Sequence, residues 1–233
     1  AKNGAKISPV PYNPVDALWT DKPKTAVERA VFLPENYTGQ DSTSKIADIT
    51  AAVGLEQDDA LVLTSPESIS WLLNVRGRDI PFIPVVQSFA VLYKNGTLDW
   101  FVDENKVTDL LRSKLSPLVE IRRPAVLPAV LDALGLQQAR VSLDMAQSPA
   151  WIYERLSAAG AVVHANEDPC LIRKACKNIT ERDGAVNAHI KDGIAMCRFL
   201  CWFDREAPKG KLKETDAERS QKNGGGMREK RGE

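Results

Sequence analysis

Two guanidiniums and a carboxylate fall within four residues at Arg76, Gly77, Arg78 and Asp79, followed by Pro81 and Pro84. A glycine and two prolines forbid a helix here, so these charges sit on a defined loop. Arginine binds a carboxylate bidentately, and such a loop could recognise a carboxylate or a peptide carbonyl. The competing reading is a solvated turn with an internal ion pair. Other chemistries find less material. His164 and His189 are the two histidines, with no HExxH pattern and no clustered Cys/His spacing around them, and both read as structural or surface residues. Cys197 and Cys201 share a helix face at i, i+4 and could hold a soft metal, but in an apolar helix they read as small hydrophobes. Gly224, Gly225 and Gly226 lack a preceding strand and a GK[ST] ending, so they form no phosphate cradle. The four cysteines, Cys170, Cys176, Cys197 and Cys201, show no CxxC pair and read as reduced, buried thiols.

The elements that must position the loop follow from the periodicity. Up to Glu35 the chain carries Pro9, Pro11, Pro14, Pro23 and Pro34 and reads as an extended connector with one short turn at Pro14 to Trp19. Asp41 to Ser44 supplies N-cap chemistry for a helix through Ile46, Ile49 and Val53 that Gly54 can stop. A strand over 60–64 and a helix over 68–74, with Pro66 in its first turn, lead into the loop. Asn95-Gly96 between apolar runs predicts a hairpin of 88–93 with 98–102. Helices at 104–115, 125–134 and 149–159 then alternate with strands at 118–121, 140–143 and 161–164, which argues for an α/β fold with a mixed sheet flanked by helices.

After Glu167 the texture changes. A long helix over 181–205 is apolar from Ile194 to Phe203 except at Arg198, and a helix apolar all round is expected to be buried all round. The charged residues from Asp204 to Glu233 read instead as a disordered tail that cannot cover it. Across the whole chain, 31 basic residues balance 31 acidic ones, which gives no electrostatic case for nucleic acid or an acidic membrane. The 43% hydrophobic content suits a soluble globular protein, no run reaches the length of a membrane span, and no signal peptide is legible, so a cytoplasmic location is expected. The first methionine is Met145, so Ala1 is expected to be a cut or processed end within a longer protein.

At the loop the sequence takes on a family likeness. The stretch from Ala60 through Trp71-Leu-Leu-Asn-Val-Arg-Gly-Arg-Asp-Ile-Pro81 to Pro84 closely resembles the second lobe of the Xaa-Pro aminopeptidase (aminopeptidase P) family. Asn13 to Asp21 is similar to the connector leaving that family's first lobe. Lys174 to Glu181, Ala188 to Phe203 and Ala207 to Gly210 resemble the opening of its catalytic domain. The resemblance implies a creatinase/prolidase N-terminal-domain-like lobe followed by a truncated start of a pita-bread domain. The expected organisation is a connector at 1–36, the middle lobe at 37–166, the catalytic-domain start at 167–216 and a disordered tail at 217–233.

For the parent family the resemblance implies removal of the N-terminal residue from Xaa-Pro peptides by a metal-bridged hydroxide, with two manganese ions as cofactors. The family's metal ligands lie later in the catalytic domain than any residue of this chain. No cofactor is therefore expected in this chain, no catalytic or metal-ligating residue is assigned, and Arg76, Arg78 and Asp79 are the substrate-proximal candidates. Two readings stand: a noncatalytic fragment of a proline-specific metalloaminopeptidase, and a structural or interaction module without a peptidase role. Xaa-Pro peptides are the parent's partners, a homodimer is an assembly compatible with the resemblance, and no nucleic acid or membrane is expected.

Overall fold

The computed structural model describes residues 10, 12–22, 27–52 and 58–225. Pro9, Pro11 and Pro23 of the expected connector, Val53 and Gly54 at the expected helix end, and the tail from Gly226 lie outside the described residues. The chain enters through helix α1 (Pro14–Leu18), where the Asn13 side chain accepts the Val15 N–H at 3.0 Å and a proline occupies the first turn. Strand β1 (Val31–Phe32), the short helix α2 (Glu35–Thr38) and helix α3 (Ser42–Ala52) follow. Next come β2 (Ala60–Leu63), α4 (Pro66–Leu72) and β3 (Val75–Arg76), which pairs antiparallel with β1 as a separate two-stranded sheet.

The Asn95-Gly96 signal produces the expected hairpin of β4 (Phe89–Tyr93) and β5 (Leu98–Phe101), closed by Tyr93 N–H to Thr97 O at 2.9 Å with Gly96 at φ 82°. The helix expected over 104–115 is divided. A 3-10 turn spans Glu104–Lys106, Val107 is extended, and Thr108 caps helix α5 (Asp109–Lys114) by accepting the Leu111 N–H at 3.1 Å. Asp103 likewise caps the turn before it, and two competing caps five residues apart break one helix into two pieces. Strand β6 (Val119–Arg122), helix α6 (Leu127–Leu136), strand β7 (Arg140–Leu143), helix α7 (Ala150–Ala159) and strand β8 (Val162–Ala165) complete the alternation.

The main sheet runs β6-β5-β4-β2-β7-β8. Its β2–β4 and β4–β5 pairs are antiparallel, while β5–β6, β2–β7 and β7–β8 are parallel, so the sheet is mixed as the alternation implied. Side chains on a strand alternate faces, and β2 shows this directly. Leu61 and Leu63 pack with Ile46 and Ile49 of α3 and Ile69 and Leu72 of α4. Ala60 and Val62 pack on the opposite face with Leu131 of α6 and Ile152 and Leu156 of α7. Helices thus cover both faces, and each fully buried Leu or Ile contributes roughly 1.5–3 kcal/mol. The α6–α7 layer closes tightly at Gly135, where an added Cβ would lie 2.2 Å from the Ala159 Cβ.

Beyond the sheet the structure departs from the sequence expectations in four ways. Helix α8 (Cys170–Ala175) forms after Asp168, whose carboxylate accepts the Cys170 N–H at 2.8 Å. Of the four thiols expected to be buried, Cys170 is; Cys176, Cys197 and Cys201 are exposed. The long helix α9 (Ile179–Glu206) has no buried residue, and Ile194, Met196 and Leu200 are close to half exposed. Its apolar side chains face every direction, while the helices that pack most against it are α2 at one end and α10 (Glu214–Gly225) at the other. Residues 214–225, expected to be unstructured, form that helix because Glu, Lys, Arg and Gln are good helix formers once a neighbouring helix offers a surface. The Lys213 N–H donates to Asp216 Oδ2 at 3.1 Å at its start.

Candidate functional site

The loop after β3 is shaped at its neck by Gly77. A Cβ there would lie 2.6 Å from the Val85 carbonyl oxygen, so only glycine lets the two ends of the loop approach this closely. An Ile80–Ile83 bridge ties the tip. Phe82 sits at φ 68°, an unusual conformation for a non-glycine residue, and its ring projects into solvent, 98% exposed.

The three sequence-selected residues part company here. Asp79 forms no ion pair with either arginine. Its Oδ2 accepts the Gln87 N–H at 2.7 Å and the Lys106 ammonium at 2.7 Å, with the two side chains 1% and 6% exposed. The carboxylate is therefore a tether holding the loop to the 3-10 turn, and neither of the two expected geometries, recognition or an Arg–Asp pair, describes it. Arg76 turns inward. Its Nη1 donates to the Ser70 carbonyl at 3.1 Å and the Val75 carbonyl at 2.8 Å, and burial lowers its pKa while the Glu181 charge acts in the opposite sense. Arg78 alone is exposed, with no hydrogen bond or ion pair among the described residues.

Around this loop opens a cleft of about 1050 Å³, bordered on one side by Arg76, Arg78 and the 80–84 tip and on the other by Glu28, Arg29 and Val31. Val31 and Arg76 are register partners in the β1–β3 pair, so the two-stranded sheet forms its floor. Arg29 was not singled out by motif, because only the β1–β3 pairing carries it to Arg78.

Behind the cleft lies a buried polar cluster that sequence reasoning also missed. Lys45 of α3 points inward, donating to the Trp71 carbonyl at 3.1 Å and to Asn74 Oδ1 at 2.8 Å, with its ammonium 4.4 Å from the Trp71 ring centroid. Burial pulls its pKa down to about 8, the Glu181 carboxylate opposing and Arg76 reinforcing the shift. The Trp71 indole N–H donates to Glu181 Oε1 at 3.2 Å. Glu181 and Asn178 form a capping box at the start of α9: Asn178 Oδ1 accepts the Glu181 N–H at 2.9 Å, and Glu181 Oε2 accepts the Asn178 N–H at 3.1 Å. Asn178 Nδ2 donates across to the Thr38 carbonyl at 2.7 Å, and its amide fills the space against Gly39, which is at φ +66°. The cap of α9 is thus the joint that fastens this helix to the lobe. Its Asn-x-x-Glu spacing was legible in the sequence, whereas nothing marks Lys45 as an inward-facing lysine.

The histidines are structural, as expected for His164, whose Nδ1 meets Asp58 Oδ1 at 2.5 Å, and exposed on α9 for His189. Among the described residues no group of three or more His, Cys, Asp and Glu side chains could hold a metal ion, so the residues present do not fit a dinuclear centre. No helix among them is long and apolar enough to cross a membrane.

Comparison with known proteins places this geometry. Residues 21–181 match the Creatinase/Prolidase N-terminal domain. Xaa-Pro aminopeptidase 1 of Dictyostelium discoideum is 34% identical over 175 residues, covering 75% of this chain and 27% of the relative. A probable Xaa-Pro aminopeptidase P of Aspergillus niger is 31% identical over 227 residues, covering 93% and 36%. The chain resembles the X-prolyl aminopeptidase of Caenorhabditis elegans, described as a cytosolic enzyme with a di-nuclear active site, at a TM-score of 0.82 and 26% identity over 92% of this chain and 36% of that one. The Xaa-Pro dipeptidase of Bacillus anthracis shares the fold at a TM-score of 0.58 and 13% identity, over 79% of this chain and 49% of that one. The chain spans about a third of the length of the aminopeptidases it matches.

Proposed function

The chain belongs to the creatinase/prolidase N-terminal domain family, and we propose that it is the noncatalytic middle lobe and first catalytic-domain helix of a proline-specific metalloaminopeptidase. Its relatives are Xaa-Pro aminopeptidases. The observation that carries the proposal is the likeness to the worm aminopeptidase over 92% of the chain, lobe and α9 together. In the parent protein, the hydrolytic chemistry would come from two manganese ions held by residues outside this set. The lobe's part is to orient α9 through the Asn178–Glu181 joint and to present the 77–85 loop, with Arg78 exposed on it, to the incoming peptide. A cytoplasmic location for the parent is part of this reading, supported by the description of the worm relative as a cytosolic enzyme.

A second reading, an interaction module, is favoured by one feature, the exposed Ile190, Ile194, Met196 and Leu200 of α9. Apolar surface of this kind marks an association face. A homodimer through α9 is its simplest form.

The test is direct. The purified chain, supplied with Mn²⁺ and an Xaa-Pro-Yaa amide, should release no N-terminal residue, while the longer protein does so and loses turnover on Arg76→Ala with its fold intact. Turnover by the chain alone would refute the noncatalytic assignment, and unchanged kinetics for Arg76→Ala would remove the loop from the site.

A further inference from the structure

Most exposed cations on this lobe are already neutralised. Lys94 pairs with Asp59, Arg122 with Asp99, Arg155 with Asp132 and Arg123 with Glu104. Arg29 and Arg78, like Arg112 and Lys114, are exposed and have no ion-pair partner among the described residues; what sets the two arginines apart is that both border the same cleft. Glu28 is the one acidic residue on its lining, against three arginines. The same lining carries the apolar side chains of Val31 and, from the loop tip, Ile80, Phe82 and Ile83. Phe82 is held outward on a backbone that costs free energy to maintain, and the Asp79–Lys106 tether and the Gly77 neck hold the loop in place.

We propose that this cleft is a carboxylate subsite that takes the C-terminal carboxylate of a short peptide, with the arginines on the anion and the side chain of the last residue against Phe82 and Ile83. The inference rests on the peptide-facing role proposed above and adds the ligand class to it. Arginine presents paired donors that match a carboxylate. A C-terminal residue carries its carboxylate and its side chain on the same carbon, so one group can face the cations while the other faces the apolar wall. An Asp or Glu side chain carries the anion without an apolar group beside it. A polyanion would gain little, because the chain as a whole has no net charge.

NMR titration of the full 233-residue chain with three peptides tests this: Ala-Pro-Phe as the free acid, Ala-Pro-Phe amide and Ala-Pro-Glu amide. The free acid should shift the Phe82 and Ile83 resonances and bind at least about tenfold more tightly than either amide. Arg78→Ala and Arg29→Ala should each weaken the free acid by about five- to tenfold and leave the amides unchanged, with circular dichroism confirming the fold. Equal binding of acid and amide would overturn the proposal, as would arginine variants that bind the acid normally. Ala-Pro-Glu amide binding as well as the free acid would overturn the C-terminal source. The hydrolytic role is read separately, on amide substrates with the longer protein, so either idea can fail while the other stands.

Discussion

At the joint between lobe and α9, Gly39 and Asn178 should be energetically coupled. Gly39 is left-handed, with φ +66°, and a Cβ placed there would lie 2.5 Å from Asn178 Oδ1 and 2.9 Å from Cγ. Gly39→Ala therefore carries two costs: about 1–2 kcal/mol for alanine in the left-handed region, and displacement of the Asn178 amide. Displacement breaks the cap bond to the Glu181 N–H and the bond to the Thr38 carbonyl, at about 1 kcal/mol each. The total is about 3–4 kcal/mol. Asn178→Ala alone should lose about 2 kcal/mol through the same two bonds. In the double variant the amide is already gone and the alanine meets open space, so the loss should equal that of Gly39→Ala alone, about 2 kcal/mol short of additivity. Urea unfolding followed by far-UV circular dichroism, with linear extrapolation, measures all four corners of the cycle. Losses that add to within about 0.5 kcal/mol would refute the reasoning, since they would mean that Asn178 does not occupy the space beside Gly39.

Lys45 should make stability depend on pH. The folded lysine releases its proton near pH 8 and the unfolded one near 10.5, so the unfolded state holds more protons between these values. Relative to Lys45→Met, stability should then rise across that window by up to about 3 kcal/mol, and a flat difference between the two unfolding curves would count against the buried ammonium. Asp79→Asn leaves Lys106 buried without its counter-charge and should cost about 3–5 kcal/mol in chemical unfolding, whereas Arg78→Ala should stay within about 0.5 kcal/mol. Equal effects would mean the tether is not formed. Light scattering should find the chain above its monomer mass of 25.6 kDa, and Ile194→Glu with Leu200→Glu should return it to that mass. A monomeric unsubstituted chain would end the case for α9 as an association face.

The layered α/β lobe was readable from short-range patterns. Asn95-Gly96 specifies the hairpin turn because glycine admits the left-handed backbone that Gly96 adopts at φ 82°, and the apolar runs of β2 and β4 imply strands buried on both faces. The Trp71 to Pro84 stretch carried the family likeness for the same reason: it concentrates special backbone positions, Gly77 among them, that admit few residue types. What that loop does with its charges was not readable. In sequence Arg76, Arg78 and Asp79 are near neighbours and suggest one constellation, yet the fold sends Arg76 inward to carbonyls, Asp79 to Lys106 and only Arg78 to solvent. The Lys106 partner of Asp79 lies 27 residues along the chain and is fixed by packing, as Arg29 is brought to the cleft that Arg78 borders only by the β1–β3 pairing. The burial of α9 failed as an expectation for the converse reason. Hydrophobicity states that a surface gains by being covered, but only tertiary structure supplies the cover, and among the described residues α9 meets the lobe just at its cap.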